Sequence, residues 1–387
     1  FSSRRRHTRS PLGSRGLGDV YKRQSELYAE TILPVWKSPD GFSSMVLEAA
    51  VRYSDYSDFG DSTTPKLGMR LQLGPAVLLR ATYAQGFRAP SLNELYEGNT
   101  ESQALLHDPC TQASNVGVLP GCNRQADPTR TQFLTVTGGN PELEAETSDS
   151  FSAGLVWTPV FLPGLSLSAD YFQIEQDDVV SSSAQFIVSQ NARFGRFQDK
   201  VVRDGAGNLT LVTASNINVG GRDVRGVDLA FNYQHPGRRW GKLSFNGSAT
   251  YIDEYIARLD ASSEELDLAG TFRDEASEGL GGIPQWKSQL GLRWTRERWQ
   301  ASYDIHFVSD MSELVPGTER RLTIDDWIVH DTQLSYTFDV LEGLRWSLGV
   351  DNILDERVAE RHVALVGHKQ RERTASATGD HRVIGEG

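Results

Sequence analysis

The chain has 387 residues, a formal net charge of −12, 38 % hydrophobic residues and 9 % aromatic residues, with a mean hydropathy of −0.42. No run of about 18 apolar residues occurs, which excludes a membrane-spanning helix but not a spanning β-barrel, whose strands alternate and average out as hydrophilic. The acidic balance argues against nucleic acid as a partner, and 2 cysteines are too few for a disulfide scaffold or a four-cysteine zinc site.

Residues 1–24 hold seven Lys or Arg against one Asp. They show no periodicity and lack the apolar core of a signal peptide. We expect a non-native leader there, so the rest of the chain is more acidic than the whole. From Ser25 onward the dominant signal is alternation with a period of two. The predicted strands, in chain order, are Leu27–Val35, Leu47–Tyr56, Lys66–Leu73, Val77–Gln85, Ser150–Trp157, Leu165–Ile174, Gly226–Tyr233, Lys242–Asp253, Gln289–Thr295, Trp299–Val308, Ile328–Phe338 and Leu344–Asn352. Most are as long as a tilted bilayer-crossing strand of about 9–11 residues. In Trp299–Val308, for example, Trp299, Ala301, Tyr303, Ile305 and Phe307 share one face, while Gln300, Ser302, Asp304 and His306 share the other. No helical period of useful length competes. Residues 359–387 are polar and irregular, and we expect a disordered or frameshifted tail.

The joins alternate in length. Short ones lie at Trp36–Phe42, Gly74–Pro75, Pro159–Gly164, His235–Arg239, Arg296–Arg298 and Asp339–Gly343. Long ones lie at Phe87–Glu146, Asp177–Asn216, Asp253–Ile283 and Asp310–Asp326. Only Ser57–Thr64 is short where a long join is expected. Short turns at one end and long loops at the other are the outer-membrane barrel pattern. Period alone does not separate this from a soluble sandwich. Strand length, loop asymmetry and aromatics near strand ends, such as Trp157, Tyr233 and Trp299, favour the barrel.

Several phrases then point to one family. Phe87-Arg-Ala-Pro-Ser-Leu-Asn-Glu-Leu-Tyr96 resembles the "FRAPSLxELY" signature of TonB-dependent outer-membrane receptors; within it stand Arg88, Pro90, Asn93 and Glu94. Gly139-Asn140-Pro141-Glu-Leu-Glu-Ala145-Glu146-Thr-Ser148 resembles that family's "GNPxLxPETS" phrase, with Ala145 where Pro is common. Asn218–Leu229, carrying Gly226 and Asp228, resembles its "N…RxxGxE" strand, with Asp228 for the usual Glu. Ile283–Ser288 and Gly349–Arg357, which includes Asn352, resemble its late phrases. The order and spacing fit as well.

The resemblance implies an all-β fold, an antiparallel transmembrane β-barrel. It implies about 12 strands of a 22-stranded barrel, with residues 25–358 as part of that barrel and with no plug domain or TonB box in this chain. It implies an outer-membrane receptor or transporter for TonB-energised uptake of a ferric siderophore, haem, cobalamin or saccharide. The partners are then outer-membrane lipid, an extracellular small-molecule ligand, and the TonB complex only through the plug region, with no nucleic acid. A passive porin-like channel and a soluble all-β surface-binding protein are the alternatives. No enzyme signature and no cofactor motif is present: there is no GxSxG, HExxH or Walker sequence.

On a barrel of this kind Cys110 and Cys122 fall in the longest loop, which faces an oxidising space, so a disulfide is expected over a metal pair. Arg88 and Glu94 are expected to form salt bridges at the rim, with Pro90 ending strand pairing. His306 and Asp304 fall on the lumen-facing set and are candidate ligand contacts. Asp253–Glu278 carries nine acids against two arginines and reads as a solvated loop. Asp204-Gly-Ala-Gly-Asn208 reads as a hairpin turn.

Overall fold

A computed structural model describes residues 23–57, 60–235, 237, 239–258, 265–272, 282–314, 321–338 and 343–357. The expected tail and nearly all of the expected leader lie outside these residues, as does much of the acidic stretch: Asp260, Glu264, Arg273, Asp274, Glu275 and Glu278. The described residues form two compact units. The first holds those up to 233 together with 250–269; the second holds 234–249 and those from 270 onward.

The first unit begins with β1 (Gln24–Lys37), β2 (Ser44–Tyr56), β3 (Gly60–Leu73), β4 (Val77–Arg88) and a short helix, α1 (Leu92–Tyr96). Then come β5 (Thr100–Leu105), β6 (Gln132–Gly138), β7 (Glu146–Trp157), β8 (Leu165–Ser181) and the helix α2 (Ala184–Phe194). β9 (Val201–Arg203), β10 (Leu209–Ser215) and β11 (Ile217–His235) follow. β12 (Lys242–Arg258) begins in the second unit and ends in the first, where it pairs with β13 (Leu266–Asp267).

The main sheet of this unit runs β1-β2-β3-β4-β7-β8-β11, with every neighbouring pair antiparallel. Alternation sorts its side chains into rows across the strands. One row reads Leu47, Met69, Ala81, Ala153, Tyr171 and Val227; the next reads Met45, Leu71, Leu79, Leu155, Ala169 and Leu229. A row of the opposite face reads Arg70, Arg80, Gly154, Asp170 and Asp228. On that face the Arg80 guanidinium grips Asp170 through two hydrogen bonds of 2.7 and 2.6 Å, reaching across β7 at Gly154. A Cβ at Gly154 would meet Asp170 Oδ1 at 1.8 Å, so only glycine leaves room for this bridge. Among the described residues the apolar face carries no cover: Leu67 is 57 % exposed, Phe151 44 % and Leu155 41 %.

The second unit contains β14 (Trp286–Arg296), β15 (Trp299–Val308), β16 (Met311–Leu314), β17 (Arg321–Ile324), β18 (Trp327–Thr337) and β19 (Arg345–Val350). Its sheet runs β14-β15-β18-β19, all antiparallel, with β16-β17 as a separate hairpin. Here too one face is apolar, in rows such as Trp294, Ala301, Leu334 and Leu348. At the short-turn end the Trp299 and Tyr336 rings pack at a tilt with centroids 4.7 Å apart, and the Trp294 indole donates to the Trp240 carbonyl at 2.7 Å. These are large rings with a polar handle, the residue type that favours a membrane–water interface.

The twelve long strands of the two units correspond one to one with those expected from period, and the short joins at Trp36–Phe42, Gly74–Pro75, Pro159–Gly164 and Arg296–Arg298 fall where expected; most of the join expected at Asp339–Gly343 and part of that at His235–Arg239 lie outside the described residues. The exceptional join narrows further, because β2 ends at Tyr56 and β3 starts at Gly60. The fully packed core, however, lies within the long loops. The four-stranded sheet β5-β6-β10-β9 is built from two of them, and β6 and β10 pair in parallel. The helix α2 packs on it, burying Phe186, Ile187 and Val188 with Phe133, Leu209 and Val212. A helix is thus present where no helical period competes. Cys110 and Cys122 form a disulfide with a Cα–Cα distance of 5.1 Å, fully buried against Ala126 and Ala192. A Cβ at Gly121 would meet the Asn191 carbonyl of α2 at 2.0 Å, so the disulfide loop and the helix touch backbone to backbone. No described helix is long and apolar enough to cross a membrane.

Removing the disulfide with Cys110→Ser/Cys122→Ser is expected to weaken this loop module by about 3 kcal/mol, the entropy released when a loop of this length opens in the unfolded chain. Limited proteolysis between residues 105 and 132 checks it: cleavage should accelerate there while the main-sheet strands stay protected.

Candidate functional site

The strongest sequence phrase folds into a knot at the long-loop end of the first unit. β4 ends at Arg88, and Pro90, which has no N–H to offer a neighbouring strand, is fully buried. Ser91 then caps α1. Its side chain accepts from the Glu94 N–H at 3.2 Å, and the Glu94 carboxylate accepts from the Ser91 N–H at 2.7 Å. This is a reciprocal capping box. Arg88 closes the knot. Its Nε and Nη2 donate to the two Glu146 oxygens at 2.5 and 2.6 Å, and its Nη1 donates to Glu94 at 3.0 Å. Glu146 also accepts from the Val180 N–H at 2.8 Å. One guanidinium therefore ties β4, α1, β7 and the end of β8 together.

Three asparagines extend the knot. Asn140 donates through its N–H to the Glu94 carbonyl at 2.8 Å and through Nδ2 to the Asn216 carbonyl at 3.0 Å. Asn216 Nδ2 donates to the same Glu94 carbonyl at 3.0 Å. Asn218 exchanges two hydrogen bonds with the Glu144 backbone and adds one to the Asp178 carbonyl at 2.7 Å. Asn93 contributes its carbonyl, which accepts from the Glu97 N–H at 2.9 Å. Phe87 lies 5.8 Å from Tyr56, centroid to centroid. Pro141 is exposed, whereas Ala145 is buried.

The other singled-out residues lie elsewhere. Gly226 faces Phe172, and a Cβ there would meet the Tyr251 carbonyl at 2.2 Å. Asp228 accepts from the Thr250 hydroxyl at 2.6 Å. Asp304, His306 and Asn352 belong to the second unit. There His306 Nε2 stands 3.5 Å from Asp331, Asp304 is paired opposite Asp331 across β15 and β18, and the Asn352 N–H donates to Asp331 at 2.8 Å. Among the described residues no group of three or more His, Cys, Asp or Glu is placed to hold a metal ion.

The family pattern described as "TonB dependent receptor-like, beta-barrel" matches residues 4–353. The chain belongs to the TonB-dependent receptor-like β-barrel family. Among curated proteins none matches the sequence. Among solved structures, the chain is similar to a variant of the ferric enterobactin receptor PfeA from Pseudomonas aeruginosa, with a TM-score of 0.57 and 17 % identity over 87 % of this chain and 40 % of that one. It is also similar to the siderophore receptor PirA from Acinetobacter baumannii (0.57, 14 % identity, 86 % and 42 %) and to the FrpB iron transporter from Neisseria meningitidis (0.51, 11 % identity, 88 % and 42 %). At these identities the likeness is one of fold. The chain spans about two fifths of the length of these structures.

In this receptor-family chain the knot is an anchor. It fixes the stem of the longest loop to the strand ends. Sequence reasoning singled out Arg88, Glu94, Asn140 and Glu146, and these the structure brings together. It missed the capping role of Ser91, although Ser-x-x-Glu ahead of an apolar residue is a readable capping signal. It also missed Asn216 and Val180, for which no local signal exists. Burial pushes the Glu94 carboxyl up, but the Ser91 N–H and the Arg88 guanidinium outweigh it and hold the group below its ordinary value. A carboxylate depressed in the folded state stabilises above its unfolded value of 4.5, and that stability fades as pH falls through the lower folded value. Amide exchange of residues 91–97 should therefore accelerate as pH drops below about 4.5 relative to other loops, and Glu94→Gln should remove that extra dependence.

Proposed function

We propose that this chain forms part of an outer-membrane receptor that takes up a scarce small molecule with energy supplied through TonB. The observation that carries the reading is the main sheet itself. Its apolar rows face outward and uncovered across whole strands, and a contiguous exposed apolar surface of that extent needs a non-aqueous neighbour. Lipid is that neighbour in a spanning barrel. The opposite face presents Arg70, Arg80, Asp170 and Asp228, which suits a wet lumen. Short turns at one end and folded long loops at the other give the sheet a sided character, with the loops on the cell exterior. Family membership supports a coupling to TonB, which in this reading acts through a plug.

The ligand class follows from the similar proteins. One is titled a ferric enterobactin receptor, a variant of which is also in complex with enterobactin, one a siderophore receptor, and one an iron transporter. A ferric siderophore is thus the first ligand to test. Haem, cobalamin and saccharides are the others. The receptor carrying this barrel should support uptake of a labelled ferric siderophore in iron-starved cells, and uptake should stop when TonB is deleted. Ion conductance through the protein in planar bilayers without TonB, combined with no TonB-dependent uptake, would replace this reading with a passive porin.

A further inference from the structure

The short turn between β7 and β8 departs from the usual chemistry of strand joins, which draws on Gly, Asn, Asp, Ser and Pro. Here Thr158 leads into Pro159-Val-Phe-Leu-Pro-Gly164, and between Asp149 and Asp170 the chain carries no charged residue. The β1–β2 turn at the same end is of the ordinary kind, with Lys37, Ser38, Asp40 and Gly41. In the β7–β8 turn Val160 is 70 % exposed. Phe161 is 79 % exposed, more than any other large apolar side chain among the described residues.

The turn is held in place. The Leu162 N–H donates to the Pro159 carbonyl and the Leu165 N–H to the Leu162 carbonyl, each at 3.2 Å, and Gly164 supplies the positive φ, 93°, that leads back into β8. Thr158 ties it to the neighbouring β3–β4 turn: its N–H donates to the Ala76 carbonyl at 2.7 Å and its hydroxyl to the Pro75 carbonyl at 3.2 Å. Its apolar surface is continuous with that of the sheet. The last rung of the apolar face reads Leu73, Val77, Trp157, Leu167 and Phe231. The Phe161 ring meets the Trp157 ring edge-on, with centroids 6.1 Å apart. The apolar face therefore runs past the ends of the strands and onto the turn.

We propose that the β7–β8 turn is a lipid anchor: Val160 and Phe161 insert into the leaflet at the short-turn end and fix the depth of the sheet in the membrane. Continuity with the apolar face favours lipid as the occupant, and aromatic rings favour the membrane–water boundary. A charge-free tip also offers a protein partner no ion pair to set its register. Turn backbone groups outside a ladder need water or polar headgroups, which places the tip at the boundary of headgroups and acyl chains, about 5–10 Å deep. The proposal rests on the membrane reading of the main sheet and goes beyond it, because that reading requires lipid only against the strands.

Site-directed fluorescence tests it. The 2 cysteines of the chain are locked in the buried disulfide, so an added one takes a thiol label. Phe161→Cys, Val160→Cys, Asp40→Cys and Leu155→Cys are each made in the receptor carrying this barrel and labelled with bimane, with the unsubstituted receptor as background. Each is reconstituted into vesicles of phosphatidylethanolamine and phosphatidylglycerol. The labels on Phe161→Cys, Val160→Cys and Leu155→Cys should emit to the blue and be quenched by brominated acyl chains. The label on Asp40→Cys should emit as in water and be quenched by iodide. Iodide quenching of Phe161→Cys and Val160→Cys, with acyl-chain quenching of Leu155→Cys, would overturn the proposal and leave the turn to a soluble partner. Equal acyl-chain quenching of Asp40→Cys and Phe161→Cys would also overturn it, because the whole end would then be immersed whatever residues the turn carries. An aqueous label on Leu155→Cys would instead overturn the membrane reading itself.

Discussion

Arg203→Met is expected to unfold the long-loop module while the main sheet remains intact. Asp108 has no exposed side-chain surface, and the Arg203 side chain is 16 % exposed. Removing the cation leaves a fully buried carboxylate without its counter-ion, a loss of about 3–5 kcal/mol in comparable buried pairs. Asp108 has a second duty. Its Oδ1 caps the turn at Cys110 by accepting that N–H at 3.1 Å, so an unpaired Asp108 that moves toward water takes the disulfide loop with it. Arg203 spans 95 residues of sequence to reach it and joins β9 of one loop to the disulfide loop of the other. The module should open locally rather than globally. Hydrogen exchange should show protection lost in β9, β10 and residues 106–126 and kept in β4 and β7. The double variant Asp108→Leu/Arg203→Met removes both charges and should recover part of the loss, because an apolar pair leaves no stranded ion. Equal protection in wild type and Arg203→Met would show that water already satisfies Asp108.

The sheet was legible because each of its strands separates two environments. Trp299–Val308 carries five apolar residues on one face and polar ones on the other, and the observed β15 has the predicted bounds. Prediction stopped short where both faces turn polar. β8 continues from Ile174 through Glu175, Gln176, Asp177 and Asp178 to Ser181, and β11 starts at Ile217, nine residues before the predicted Gly226. Out there the strands are held by ladder bonds and by ion pairs such as Arg258 with Asp223, which leave no apolar alternation to read. The loop module was illegible for a different reason. β6 and β10 are distant in sequence and pair in parallel, a contact with no local imprint. α2 buries Phe186 through Ala192 on every side, including Ser189, Gln190 and Asn191, so it lacks the one-sided stripe of a surface helix. Its punctuation was nevertheless present: Ser183 caps the start, and Gly195 adopts the left-handed conformation at the end, φ 68°. In the site, the ionic half of the knot was readable from Arg88 and Glu94. Of the asparagine half Asn140 was readable from its phrase, but Asn216 was not, because it meets Glu94 across 122 residues.

Ile187→Ala tests whether that hidden module has a core of its own. Ile187 is fully buried at the centre of a cluster with Phe186, Val188, Phe133, Leu209 and Val212. Truncation removes three carbons and leaves a void that a close-packed surround fills only in part, with an expected loss of about 2–5 kcal/mol. The void lies between α2 and the sheet β5-β6-β10-β9, so the loss falls on the module and not on the main sheet. Two readouts separate the cases. If the loops fold as a unit, Ile187→Ala and Cys110→Ser/Cys122→Ser should expose the same segments to protease, because both sites depend on the contact between α2 and the disulfide loop at Gly121 and Asn191. If the loops fold independently, Ile187→Ala should expose residues 182–216 alone and leave 106–131 protected. The parallel β6–β10 ladder, the disulfide loop seated on α2, and the Asp108–Arg203 pair all cross between the two loops, and each predicts the first outcome. A shared loss of protection would establish that the two long loops fold as one body and do not order separately.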